Sequence, residues 1–371
     1  MAYDDMKEAL EQPTPSRRQN MIRVGAFSES SFTIDGHGVH AAFLECQELL
    51  DRMAGVERVN PWCLEQSDLL HVHSAGPVAL GLLLHHPGPR VVTAHLTASS
   101  FIGSVVLAEH FVGAIDRYLS YFYNQADLIL AVSNVTANYL HDIEINRPIQ
   151  VFPNTIDFNR ISRIRENRNE IRHKFGWVPK RPVILGVGQI QPRKGIDEFV
   201  ETARSLPCAD FVWVGGFLFG PFSSERSRLQ ALLSSAPANL TFTGRKPRST
   251  VLEHYAAADI FVSPSHQETF GLAALEAAAA GLPIVLRDIM PYPSIFNNCY
   301  FSIRDNDYRK VVAALIENPE MRKTYGESSR QVALRYDSLT VADKLMTAYS
   351  MAKEIANVQR ASALGVVYRY P

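Results

Sequence analysis

The chain has no long apolar run. Its longest candidate, Pro77 to Leu84, falls well short of the roughly 18 residues that a membrane-spanning helix needs, so no spanning segment is expected. Net charge is almost nil, with 37 Lys and Arg against 38 Asp and Glu. A general nucleic-acid binder would show a basic excess, so nucleic acid is not an expected partner. Only four cysteines occur, Cys46, Cys63, Cys208 and Cys299. They form neither a C-x-x-C pair nor a cluster with histidine at zinc spacing, so neither a disulfide framework nor a structural metal is indicated. The first twenty residues are polar and mixed in charge, with no apolar stretch before Met21. That is unlike a secretory signal and reads as a disordered lead-in to a cytoplasmic protein.

What is present is ample apolar material, 46% of 371 residues, enough for two separate cores. Short β-rich runs alternate with helical patterns: Ile22 to Phe27, a helix from His37 to about Met53, Leu69 to His73, a helix to Leu84, Val91 to His95, a long helix to Asn124, and Leu128 to Val132. A second series opens at Pro182 and runs through Phe211-Val-Trp-Val, Leu240-Thr-Phe, Ile260-Phe-Val and Pro283-Ile-Val-Leu. Strands separated by helices predict a parallel sheet covered on both faces. The expected fold is therefore α/β, with two doubly wound Rossmann-like domains facing a cleft. The expected boundaries are residues 1–20 as lead-in, 21–152 as the first domain and 153–336 as the second. A further helix follows at about 337–358. In such sheets ligands bind beyond the carboxyl ends of the strands.

The most pointed motif is a pair of carboxylates, Glu268 and Glu276, with seven residues between them. Asp259-Ile-Phe-Val-Ser-Pro-Ser before them reads as a buried strand, and the Ala- and Leu-rich stretch after Gly271 as a helix. Glu268 thus sits at a strand-to-helix turn, and helix rise puts Glu276 within the first two turns. The free amides of Thr269, Phe270, Gly271 and Leu272 would crown the helix start, where the dipole favours an anion. One carboxylate can then take sugar hydroxyls and the other a ribose, the layout a sugar nucleotide requires. Elsewhere, Gly36 and Gly38 lie in a long loop that opens a helix, where glycine lets backbone approach a phosphate. His71 and His73 share a strand face with no third ligand near in sequence, which favours buried, hydrogen-bonded histidines over a metal pair. Asp305-Asn-Asp307 is expected to cap the helix that carries Lys310 to Glu317.

The run from Ser263-Pro-Ser through Glu268-Thr-Phe-Gly and Leu-Glu276 to Gly281-Leu-Pro283 resembles the glutamate-x7-glutamate signature of the family 4 retaining glycosyltransferases. The resemblance implies a GT-B fold whose C-terminal helix crosses back onto the first domain. It implies a hexosyltransferase that uses a nucleotide sugar as co-substrate, with no cofactor and no metal. His95, after Thr93-Ala94, matches the histidine that lies against the donor sugar in this family. Lys194, in Gly186-Val-Gly188-Gln189-Ile-Gln191-Pro192-Arg193-Lys194-Gly195, matches the lysine that meets the departing diphosphate. The family usually has an arginine after the second glycine; here that position is Gln189, which leaves Arg193 as the second cation. Arg245, in Thr243-Gly244-Arg245, falls where the family contacts the nucleobase.

Gly188-Gln189-Ile-Gln191-Pro-Arg193-Lys194 and Thr93-Ala-His95 followed by Ser100-Phe101-Ile-Gly103-Ser104 are also similar to bacterial diacylglycerol glucosyltransferases. That narrower resemblance implies transfer of glucose from UDP-glucose to a diacylglycerol-type lipid, by an enzyme peripheral to the inner face of the cell membrane. The apolar, aromatic segment Phe101 to Tyr123 fits either an acyl-chain entrance or membrane interface, or an ordinary buried helix. The Arg-rich stretch 160–181 is expected to be a solvated helix. Three rivals stay open: a polysaccharide or small soluble acceptor, a non-catalytic regulator that binds sugar nucleotides, and a hydrolysing or epimerising relative of the same fold.

Overall fold

The computed structural model describes residues 21–33, 38–104, 106–218, 220, 223–305 and 307–363; the expected lead-in, Gly36 and the middle of Asp305-Asn-Asp307 lie outside them. Twelve strands form two parallel six-stranded sheets. The first has the order β2-β1-β3-β4-β5-β6, with β1 Ile22–Phe27, β2 Val56–Val59, β3 Leu69–Val72, β4 Arg90–Ala94, β5 Leu128–Ala131 and β6 Ile149–Val151. The second has the order β12-β11-β10-β7-β8-β9, with β7 Val183–Val187, β8 Asp210–Val214, β9 Leu240–Phe242, β10 Ile260–Ser263, β11 Ile284–Arg287 and β12 Phe301–Ile303. Every residue of β3, β5 and β10 is buried. Helices on both faces require that, and it is why these strands read as continuous apolar runs rather than alternating ones. Two Rossmann-like domains result, as expected. The edge strands β2 and β12 escaped the sequence reading because they are short and half polar.

The predicted long helix ending near Asn124 is not continuous. Residues 98–111 contain two short 3₁₀ turns, Ala98–Ser100 and Ala108–Phe111, and the α-helix spans only Val112–Tyr123. Leu107 between them is left-handed, at φ 61°, which a helix cannot accommodate.

The Arg-rich stretch is also not a solvated helix. It forms two helices, Phe158–Glu166 and Arg168–Lys174, that face the carboxyl end of helix α1, Arg248–Ala257. Arg165 donates to the carbonyls of Ala256 and Ala258, at 2.6 and 3.0 Å. Arg168 donates to Ala258 at 2.7 Å and to the Asp259 carboxylate at 2.6 Å. Arg172, only 4% exposed, reaches Ala257 O at 2.9 Å and Asp259 Oδ2 at 3.0 Å. These guanidiniums satisfy carbonyls that a helix end leaves without partners.

The chain crosses from the first domain to the second near Ile156 and returns near Asp337, where those two residues pair in a parallel bridge. The C-terminal helix, Ser338–Ala363, then lies on the first domain. Its Leu345, Ala348, Tyr349 and Ala352 are buried with Val24, Phe43, Leu128 and Leu130 in one core.

Replacing Arg172 with Met removes four donated hydrogen bonds from a buried site. Urea unfolding should show a loss of about 3 kcal/mol; a loss below a few tenths would mean that Arg168 alone holds this helix end.

Candidate functional site

The carboxyl ends of both sheets open on one cleft of ≈ 520 Å³, within the range of small-molecule sites. His95, Arg193, Lys194, Arg245, the stretch from Glu268 to Ala274 and Glu276 all line it, as do Gly38 and Gln189. The structure thus brings together every expected site residue within the described region.

Lys194 and Glu268 form its charged centre. Lys194 Nζ donates to Glu268 Oε1 at 2.5 Å, and each side chain is 14% exposed. Lys194 lies in a 3₁₀ turn, Pro192–Lys194, closed by Gly195 in the left-handed region. A Cβ on Gly195 would lie 2.3 Å from Pro264 O, so glycine lets the loop after β7 lie against the loop after β10. Burial lowers the Lys194 pKa, with Glu268 opposing that effect and Arg193 adding to it. Burial by itself would raise the Glu268 carboxyl, but the charges of Lys194 and Arg193 and hydrogen bonds from Lys194 and Ser265 hold it below the usual carboxylate range. Arg193 turns toward the first domain: its Nε donates to Ser104 Oγ at 2.7 Å and its Nη1 to Gln267 O at 3.4 Å. It therefore ties the two domains together at the edge of the cleft.

Helix α2, Leu272–Ala279, starts at Gly271, whose φ is +91°. Phe270 is 2% exposed and packs in the core, so its amide rather than its ring is what it offers to the cleft. Ser133, which caps the first-domain helix Asn134–Asp142, donates to Thr269 O at 2.6 Å and fixes the turn from the opposite domain. Glu276 is 3% exposed and sits 2.5 Å from Arg248 Nη1. The same guanidinium donates from Nη2 to Glu45 Oε1 at 2.9 Å. Glu45 belongs to the first-domain helix Gly38–Arg52, and its other oxygen accepts the Asp157 amide at 3.0 Å. Burial would lower the Arg248 pKa, yet Glu276 and Glu45 raise it. The sequence reading missed Arg248. Its signal was there: a cation opening a helix just after a strand, three residues beyond Arg245.

His95 is 6% exposed and follows β4 directly. Arg245 lines the cleft beyond β9, with its Cγ 3.2 Å from where a Cβ on Gly216 would stand. Gly36 lies outside the described residues. A Cβ on Gly38 would meet nothing within 4 Å, so that position has no steric need for glycine. His71 is hydrogen-bonded through both nitrogens, to Tyr349 Oη and Thr93 Oγ1, each at 2.8 Å. Cys46, His71 and His73 bring ligand-type atoms within 4.8 Å of one another. Because both His71 nitrogens already have partners, the cluster is accounted for as a buried polar core. Asp307 caps the helix Tyr308–Glu317 through the Lys310 amide. The Phe101 to Tyr123 segment divides: Ser104, Leu119, Phe122 and Tyr123 are buried, while Ile102, Val106, Leu107, Phe111 and Tyr121 are 38–58% exposed.

A Cβ on Gly271 would stand 2.5 Å from Tyr292 Cε1, and Tyr292 is fully buried. Gly271→Ala should therefore cost about 2 kcal/mol in urea unfolding and displace the start of α2; an unchanged midpoint would show that the turn tolerates a side chain.

Comparison with known proteins extends this picture to most of the chain. Residues 23–160 match Glycosyltransferase Family 4, and residues 167–332 match Glycosyl transferases group 1. The chain is 29% identical over 323 residues to alpha-galactosylglucosyldiacylglycerol synthase of Streptococcus pneumoniae, covering 85% of this chain and 86% of the relative. It is 26% identical over 274 residues to the processive diacylglycerol alpha-glucosyltransferase of Acholeplasma laidlawii, covering 73% and 80%. The crystal structure of Anabaena HepE with UDP and glucose superposes with a TM-score of 0.72 at 17% identity, over 89% of this chain and 99% of that one, a likeness of fold. With one matched region filling each Rossmann-like domain, the chain belongs to the GT-B glycosyltransferases of the family 4, group 1 type.

Proposed function

We propose that this glycosyltransferase moves a hexose, glucose in the sharpest version, from a UDP-sugar to a hydroxyl of a diacylglycerol-type lipid with retention of configuration. The observation that carries the proposal is the buried Lys194–Glu268 pair beside the start of α2. In this reading the amides of Phe270 to Leu272, with Lys194 and Arg193, hold the diphosphate. Glu268 accepts from sugar hydroxyls, Glu276 from the ribose, and Arg245 faces the base. The bond from the anomeric carbon to the phosphate oxygen breaks while the acceptor oxygen bonds to the same carbon on the same face. The acceptor proton passes to an oxygen of the departing diphosphate. Negative charge grows on that diphosphate, and preorganised cations in a water-poor site stabilise it most at that moment. The proposed reaction draws on no cofactor besides the nucleotide sugar.

The lipid acceptor is supported by the two relatives whose names are those of diacylglycerol glycosyltransferases. It is also supported by the exposed Ile102, Val106, Leu107 and Phe111, an apolar patch of the kind that rests in a membrane interface. No helix among the described residues is long and apolar enough to cross a membrane, so the proposed attachment is peripheral.

Release of UDP from UDP-glucose by the purified protein should depend on diacylglycerol vesicles. It should fall ~10²–10³-fold in Lys194→Ala, the loss expected of an oxyanion-type donor. Release indifferent to lipid would point to a soluble or polysaccharide acceptor, and binding without turnover on any acceptor to a regulator. Rate should also respond to pH in a set direction. Because Lys194 loses its proton more readily than an ordinary lysine, kcat/KM should decline on the alkaline side before the usual 10.5. Because Glu268 stays ionised below the usual carboxylate range, the acid limb should not begin until pH falls beneath that range. An alkaline limb at or above the ordinary lysine value would contradict the role given to Lys194.

A further inference from the structure

Three charged side chains meet beside α2, and two of them line the cleft. Arg248 and Glu276 are lining residues, whereas Glu45, 4% exposed, is not. Arg248 Nη2 donates to Glu45 Oε1 at 2.9 Å, and Arg248 Nη1 lies 2.5 Å from Glu276 Oε1. The second contact is one of charge on charge, since Glu276 Oε1 is buried and receives no directed hydrogen bond from any described residue. The guanidinium thus gives its two terminal nitrogens to carboxylates of different domains.

One cation is set against two carboxylates. Burial holds Glu45 above the usual carboxylate range, with Arg248 opposing that effect and Glu276 adding to it. Tyr255, about two turns along α1 from Arg248, brings no charge to the balance, because burial and the charge of Glu276 keep its phenol protonated. Glu45 is anchored in turn. Its Oε2 accepts the Asp157 amide at 3.0 Å, and Asp157 caps the helix Phe158–Glu166 while accepting from Arg52 at 2.7 Å. The position of Arg248 is therefore fixed from the first-domain side. A buried carboxylate that loses its cation is an uncompensated ion, which turns toward water or gives up its charge.

We propose that Glu45 is a positioning residue that sets donor selectivity from the opposite domain: it holds Arg248, Arg248 holds the Glu276 carboxylate, and that carboxylate tells the ribose of a nucleotide from 2′-deoxyribose. The inference rests on the reading of Glu276 as the ribose contact. A carboxylate offers about four lone-pair sites on its two oxygens, so a charge contact to Arg248 leaves room for ribose hydroxyls. A nucleotide that lacks the 2′-hydroxyl leaves one of those sites unmet in a buried place, and a site built to hydrogen-bond a hydroxyl rejects the analogue without it. No motif marks Glu45 for this role. It lies 203 residues from Arg248 in sequence and does not line the cleft.

The test is titration calorimetry of UDP and of 2′-deoxy-UDP on the purified full chain, which needs neither acceptor nor turnover. Native protein should bind UDP at least about tenfold more tightly than 2′-deoxy-UDP, the scale of one hydrogen bond to a charged group. Glu45→Gln keeps the size of the side chain and an oxygen for the Asp157 amide, but it turns an uncharged group to Arg248. In that variant the ratio should shrink to about threefold or less. A merely structural Glu45 would weaken both ligands alike and leave the ratio at its native value, which overturns the proposal. Should Glu45→Gln not fold, the double variant Glu45→Gln with Arg248→Met removes both members of the pair together and decides by the same ratio. A native protein that binds the two ligands equally, or binds neither, would defeat the reading of Glu276 and this inference with it. Native discrimination that survives in the variant defeats this inference alone.

Discussion

Arg248 stands between two buried carboxylates that belong to different domains, and the geometry of the cleft depends on it. Glu45 approaches from the helix after β1, Glu276 from the helix after β10. Each carboxylate alone would be costly to bury as an ion, and the shared guanidinium offsets part of that cost, though burial still holds Glu45 above the usual carboxylate range. Glu45 also accepts the Asp157 amide at the first crossing between domains. Asp157 itself receives Arg52 at 2.7 Å, so the network links Glu276 to the crossing between the domains. Lost compensation there would alter the spacing of the sheets as well as the charge of the site.

Around this frame the site is assembled from opposing effects of burial and charge. Burial weakens the proton affinity of Lys194, while its partner Glu268 sustains it. The same contact keeps Glu268 ionised where burial would neutralise it. Under the proposed function, a donor diphosphate would add negative charge beside Lys194 and compete for its bond to Glu268, freeing a carboxylate for sugar hydroxyls. Contacts from the first domain hold the loops in register: Ser133 on Thr269 O and Ser104 on Arg193. The charged face of the cleft therefore belongs to neither domain alone.

Much of this was legible in the sequence because its signals are local. The buried strands, the turn at Glu268 and the helix through Glu276 announce themselves by periodicity and propensity. Lys194 and His95 gain their assigned roles through the family resemblance. What sequence did not reveal depends on contacts between distant segments. Arg248 is one cation among many until Glu45 and Glu276 converge on it. The arginines of 165–172 look solvated until the end of α1 presents its carbonyls to them. The interrupted helix before Val112 was hidden because Leu107, a good helix former by propensity, adopts a left-handed conformation that propensity does not signal. The edge strands β2 and β12 were missed because a strand with one neighbour need not be apolar on both faces.

The most direct test of the account is a crystal structure with UDP-glucose bound. The hexose hydroxyls are expected within hydrogen-bonding distance of Glu268, and the diphosphate on the amides of Phe270 to Leu272 with Lys194. The ribose is expected on Glu276, with Arg248 still bridging to Glu45. A donor bound elsewhere, or one in the cleft that leaves Lys194 and Glu268 paired only with each other, would contradict it.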